Sequence, residues 1–104
     1  PIPFSETAKT ITMRVWSPTA GVPIRLKVEN GADGSKSCET EATTTVANAW
    51  ETLTFNFANP AAGTQALNLA TTYNRISVFP SFGKTGGQIG GPSIYYFDNL
   101  ALGS

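Results

Sequence analysis

Along most of this chain apolar and polar residues alternate, and no apolar spacing of three and four residues persists for two helical turns, so strands are the predicted elements. Six are read. In the first, residues 10–17, Ile11, Met13 and Val15 share one face and Thr12, Arg14 and Trp16 the other, before Pro18 and Gly21 end it. The second, 24–30, sets Ile24, Leu26 and Val28 against Arg25, Lys27 and Glu29. Asn30-Gly31 and Asp33-Gly34 then offer residues that tolerate positive φ, a hairpin signal. The third, 37–46, is expected to turn Cys38, Thr40, Ala42 and Val46 inward and Glu39, Glu41, Thr43 and Thr45 outward, its threonines favouring a pleated surface. The fourth, 50–58, points Leu53, Phe55 and Phe57 into the core and Thr52, Thr54 and Asn56 out, with Trp50 covering the core's end and Asn59-Pro60 closing the strand. A loop with room for one helical turn around 66–70 leads to the fifth strand, 75–82, where Ile76 and Val78 alternate with Arg75, Ser77 and Phe79. Residues 83–91 are glycine-rich but lack the Lys-Ser/Thr ending and following helix of a phosphate-cradling loop, so they read as a rim loop. The sixth strand, 93–102, takes its bulk from Tyr95, Tyr96, Phe97 and Leu100.

Strands spaced by turns, with no helices between them, predict an all-β, two-sheet antiparallel sandwich, and within that class a jelly roll. If these are the last six strands of such a fold, the second, third and fifth share one sheet and the first, fourth and sixth the other. The two opening strands are then expected to lie outside the chain, making residues 1–104 the C-terminal part of a larger module. Its bare edges would be covered by a preceding segment, another chain or a second copy.

Composition narrows the function classes. At 104 residues and 40% apolar content there is one core and no room for a second. Seven basic and seven acidic residues cancel, so no counterion-release term favours nucleic acid or an anionic membrane, and no apolar run approaches the length of a bilayer-spanning helix. With no histidine and one cysteine, a Cys/His zinc site, a His-dependent triad and an intrachain disulfide are excluded; Cys38 reads as a small buried hydrophobe. The chain opens on Pro1-Ile2-Pro3-Phe4 without an initiator Met, as expected of a processed or excised piece.

The stretches Thr10-Ile11-Thr12-Met13-Arg14-Val15-Trp16-Ser17-Pro18, Trp50-Glu51-Thr52-Leu53-Thr54-Phe55-Asn56-Phe57 and Tyr95-Tyr96-Phe97-Asp98-Asn99-Leu100 resemble the later strands of carbohydrate-binding modules with a galactose-binding-like jelly roll. The resemblance covers nearly the whole chain and picks out a superfamily rather than a sugar. It implies a non-catalytic, polysaccharide-binding accessory module of a secreted bacterial polysaccharide-degrading enzyme. It also implies a structural calcium ion, since many such modules hold one with an acidic residue of the last strand, a position matched by Asp98. Calcium and a hydrogen-bond cap are the two ways of satisfying a carboxylate among those aromatics, and calcium wants six or more oxygens.

The residue types suggest where a sugar would bind. One outer face is expected to collect Arg25, Lys27, Glu29, Glu39, Glu41, Thr43, Arg75, Ser77 and Phe79. Arginine and carboxylates hydrogen-bond sugar hydroxyls in pairs, and the Phe79 ring, with Tyr73 nearby, offers a surface to the apolar face of a pyranose. The alternative is a solvated sheet whose opposite charges pair across strands, worth about 0.2–1 kcal/mol per pair. Trp16, outward by parity beside Arg14, either stacks on a sugar or packs under further strands. Glu39 and Glu41 could suggest a glycosidase pair, but two carboxylates on one open strand lack the cleft that places an acid and a nucleophile across a substrate. A structural or adhesive spacer with no ligand is the rival to the binding module.

Overall fold

The computed structural model describes residues 2–80 and 95–103 and contains six strands: β1 (Thr10–Ser17), β2 (Pro23–Asn30), β3 (Asp33–Thr43), β4 (Ala49–Asn56), β5 (Arg75–Pro80) and β6 (Tyr96–Gly103). The glycine-rich stretch 83–91 and the expected strand residues 81–82 and 93–94 lie outside the described residues.

The strands form two antiparallel sheets, a front sheet in the order β4-β1-β6 and a back sheet in the order β3-β2-β5, packed face to face as a sandwich. This is the partition expected if the six strands are the last six of a jelly roll. The central strands β1 and β2 give the cleanest code, because each is flanked on both sides and only one face can be buried: Ile11, Met13 and Val15 meet Ile24, Leu26 and Val28 across the core. Val22, Cys38, Leu53, Phe55, Phe57 and Tyr73 complete it, with each fully buried aliphatic or aromatic side chain contributing about 1.5–3 kcal/mol. Burial, and secondarily the neighbouring Glu39 charge, pushes the Cys38 thiol up to about 11. Phe4 closes one end, its ring 5.5 Å from Phe57 and 5.8 Å from Tyr73.

The sandwich has two unlike sides. β3 and β4 meet on one, where the Thr40 hydroxyl is shared between the Asn56 and Asn59 carbonyls at 3.1 and 2.9 Å. On the other, β5 and β6 present Ile76 and Val78 partly buried beside half-exposed Phe97 and Leu100. Register between β1 and β6 shifts after Thr12, which places Leu100 on this second side.

Four expectations are corrected. The β2–β3 hairpin does not use positive φ at Gly31 or Gly34; the Asn30 carboxamide oxygen instead accepts from the Ala32 and Asp33 N–H groups at 2.9 and 3.0 Å, an Asx turn. Val46 is exposed because β3 stops at Thr43, and the last inward position is Thr44, whose hydroxyl accepts from Val22 N–H and donates to the Thr19 carbonyl. Trp50 does not cover the core; it stands on the outer face of the front sheet, 43% exposed. The loop before β5 makes isolated turns at 61–64 and 68–71 and no helix.

Candidate functional site

Two outer faces carry the candidate chemistry. On the back sheet, the alternation of β2 and β3 with β5 brings Arg25, Lys27, Glu29, Glu39, Glu41, Arg75 and Phe79 together as expected. Register sets Arg25 between Glu41 and Phe79, Lys27 between Glu39 and Ser77, and Glu29 opposite Arg75. Arg25 donates from Nε to Glu41 at 2.7 Å and from Nη1 to Glu39 at 3.1 Å. Burial alone would lower its pKa, but the hydrogen bonds and charges of Glu41 and Glu39 outweigh that and raise it. Lys27 lies 3.9 Å from Glu29. Three cations and three carboxylates thus face one another, and the polar groups offered to a sugar are largely turned on each other. Phe79 is 37% exposed, whereas Tyr73 is 2% exposed, its hydroxyl accepting from Asn68 N–H, so Tyr73 belongs to the core and not to this face.

The front sheet carries a different set. β1 pairs Trp16 with Trp50 of β4 on one side and with Tyr96 of β6 on the other, so three aromatic residues occupy one rung of the outer face. The Tyr96 ring meets Trp16 edge-on at 5.4 Å and lies 6.5 Å from Trp50 with the planes inclined at 42°. Trp16 is partly covered, while Trp50 and Tyr96 are 43% and 51% exposed. The next rung, about 6.6 Å along strands that rise about 3.3 Å per residue, sets Arg14 between Thr52 and Asp98.

No protein-family model matches the chain, and neither does any curated protein or solved structure. The site therefore rests on its own geometry.

The eight predicted sugar-contacting residues fall on opposite faces: Trp16 on the front, the other seven on the back. The front rung adds Trp50 and Tyr96, which sequence reasoning did not select. The signal was present in the parity of β4, where Trp50 shares the outward face of Thr52 and Thr54, but its place at a strand start favoured a core role. Asp98, the predicted metal residue, is exposed and stands opposite cationic Arg14. Among the described residues no three carboxylate, thiol or imidazole side chains gather.

The turn before the aromatic rung is held by one side chain. Glu51, the neighbour of Trp50, accepts at its carboxylate from the Thr45 N–H at 2.9 Å, the Thr45 hydroxyl at 2.8 Å and the Val46 N–H at 3.1 Å. Desolvation raises its pKa, but these three donors outweigh that and hold it below the usual carboxylate value. The same turn contains Asn48 in the left-handed region at φ 56°, with its N–H donated to the Ser17 carbonyl. Glu51 ties the start of β4 to residues 45 and 46, and Asn48 ties the same turn to the end of β1.

Proposed function

We propose that this chain is a non-catalytic carbohydrate-binding module, an accessory part of a secreted polysaccharide-degrading enzyme, that takes up its polysaccharide on the aromatic rung of the front sheet. One observation carries the reading: Trp50 and Tyr96 stand half-exposed on the outer face of the front sheet, in ring contact with each other and on either side of Trp16. Large rings left in water at one end of a sheet's outer face offer contact area at little conformational cost, which is the property of a binding surface. The C–H face of a pyranose packs against such rings. Arg14, Asp98 and Thr52, one rung away, supply the donors and acceptors that its hydroxyls require. The likeness of β1, β4 and β6 to the later strands of galactose-binding-like modules agrees with this role. Glu39 and Glu41 lie on the opposite face and share one guanidinium, an arrangement suited to a charge-paired surface rather than to an acid and a nucleophile.

The test is titration calorimetry, with and without calcium, and tryptophan fluorescence against soluble β-glucans, galactans and alginates. Binding is expected to be lost in Trp50→Ala and Tyr96→Ala and kept in Phe79→Ala. Loss in Phe79→Ala alone would move the site to the Arg25 face, and silence from the folded chain toward every glycan would leave the spacer role.

A further inference from the structure

Resting on that reading, we infer that the ligand is a stretch of extended polysaccharide several sugars long, held at a second subsite beyond the aromatic rung, and not a single terminal sugar. The outward residues of β4 run Trp50, Thr52, Thr54, Asn56, a line of hydroxyl and amide groups leading away from the rings along an edge strand. The far end of that line opens into a groove of about 420 Å³ on the side of the sandwich where β3 and β4 meet. Thr54 and Asn56 form one wall, Arg25 and Glu41 of the back sheet another, and Asn59 of the following loop a third.

The chemistry of the groove differs from that of the rung. The Thr54 hydroxyl and the Asn56 and Asn59 carboxamides suit sugar hydroxyls, the Arg25–Glu41 pair closes one wall with its charges matched to each other, and no aromatic residue lines the groove. Hydrogen bonds exchanged with water add little on their own, so such a groove holds a sugar weakly unless the same chain is already anchored elsewhere. The rings supply the anchor. Four residues of a strand rising about 3.3 Å each separate Trp50 from Thr54, so about 13 Å lies between the two subsites, a span that one sugar does not cover. A longer chain along β4 gains the groove's contacts without a second association cost, which is the condition for affinity to grow with length.

Size-fractionated oligosaccharides of laminarin, agarose and alginate, titrated from the disaccharide upward, test this. For the glycan that binds, affinity is expected to rise roughly tenfold or more with length and then level off. Thr54→Ala with Asn59→Ala, and separately Ala62→Trp, which fills the groove from its exposed rim, should return long-chain affinity to the short-chain value while melting temperature and short-chain binding stay unchanged. Trp50→Ala should weaken every length. Affinity independent of length, or groove variants that bind long chains as the parent does, would overturn the second subsite and leave the aromatic site standing. Absence of binding in every fraction would overturn both.

Discussion

Single side chains decide how well the aromatic rung is placed. Glu51 collects three donors from Thr45 and Val46, and its charge is what makes those bonds strong. Glu51→Gln keeps the shape but loses the charge, and because these bonds are exposed to solvent it is expected to cost up to about 1 kcal/mol in urea melts. Because the folded pKa lies below the ordinary value of 4.5, the stabilisation is fully present above that pH and lost as pH falls through the folded value. The parent chain should therefore lose stability on acidification below about pH 4.5, and the Gln variant should lose less of it over the same range. An equal slope in both would remove Glu51 from the account. Little of this was legible in the sequence: Glu51 stands at an inward-parity position of β4, and only the folded turn shows that its oxygens reach three donors five and six residues back.

At the scale of elements, alternation reported which residues of each strand face inward, and it failed where strands end. β1 was legible over its whole length, and the inward residues of β2 and β4 followed their parity. At the end of β3 the same rule put Val46 inside, because parity carries no information about where a strand stops. The residue that does the work there is Thr44, 2% exposed, whose hydroxyl satisfies both the Val22 N–H and the Thr19 carbonyl. Thr44→Val keeps the volume and strands the Val22 N–H, while the Thr19 carbonyl keeps the Ser17 hydroxyl as a donor, so it is expected to destabilise the fold by about 1–3 kcal/mol, whereas Thr43→Val, on the exposed face, should be nearly neutral. Comparable melting temperatures for the two would show that Thr44 is not the tie between β2 and the end of β1. The β2–β3 hairpin makes the related point that Asn30-Gly31 marked the turn correctly while the mechanism was an Asx turn, since the asparagine side chain can do what a positive φ would have done.

For the whole molecule, the two outer faces predict different responses to salt. The back face pairs Arg25 and Lys27 with three carboxylates and sets Arg75 opposite Glu29, and the chain has no net charge, so ionic strength has little to screen in a long-range sense. Sugar binding at the aromatic rung should change less than about twofold between low and high salt, measured by tryptophan fluorescence. A steep fall in affinity with salt would instead place an acidic glycan on Arg14 or Arg25. The fold class and six strands near their observed positions were determined by the sequence alone, because a half-buried strand must alternate and two such sheets can bury their apolar faces only against each other, whereas the partition of the strands between sheets followed only from the jelly-roll topology. Alternation also separated Trp16 from the Arg25 face. What it did not contain was register between strands distant in sequence. Only the packed sheets set Trp16 between Trp50 and Tyr96, drew Arg25 onto Glu39 and Glu41, and sank Tyr73 into the core, because each of those outcomes depends on which residues stand opposite one another once non-local pairing is complete.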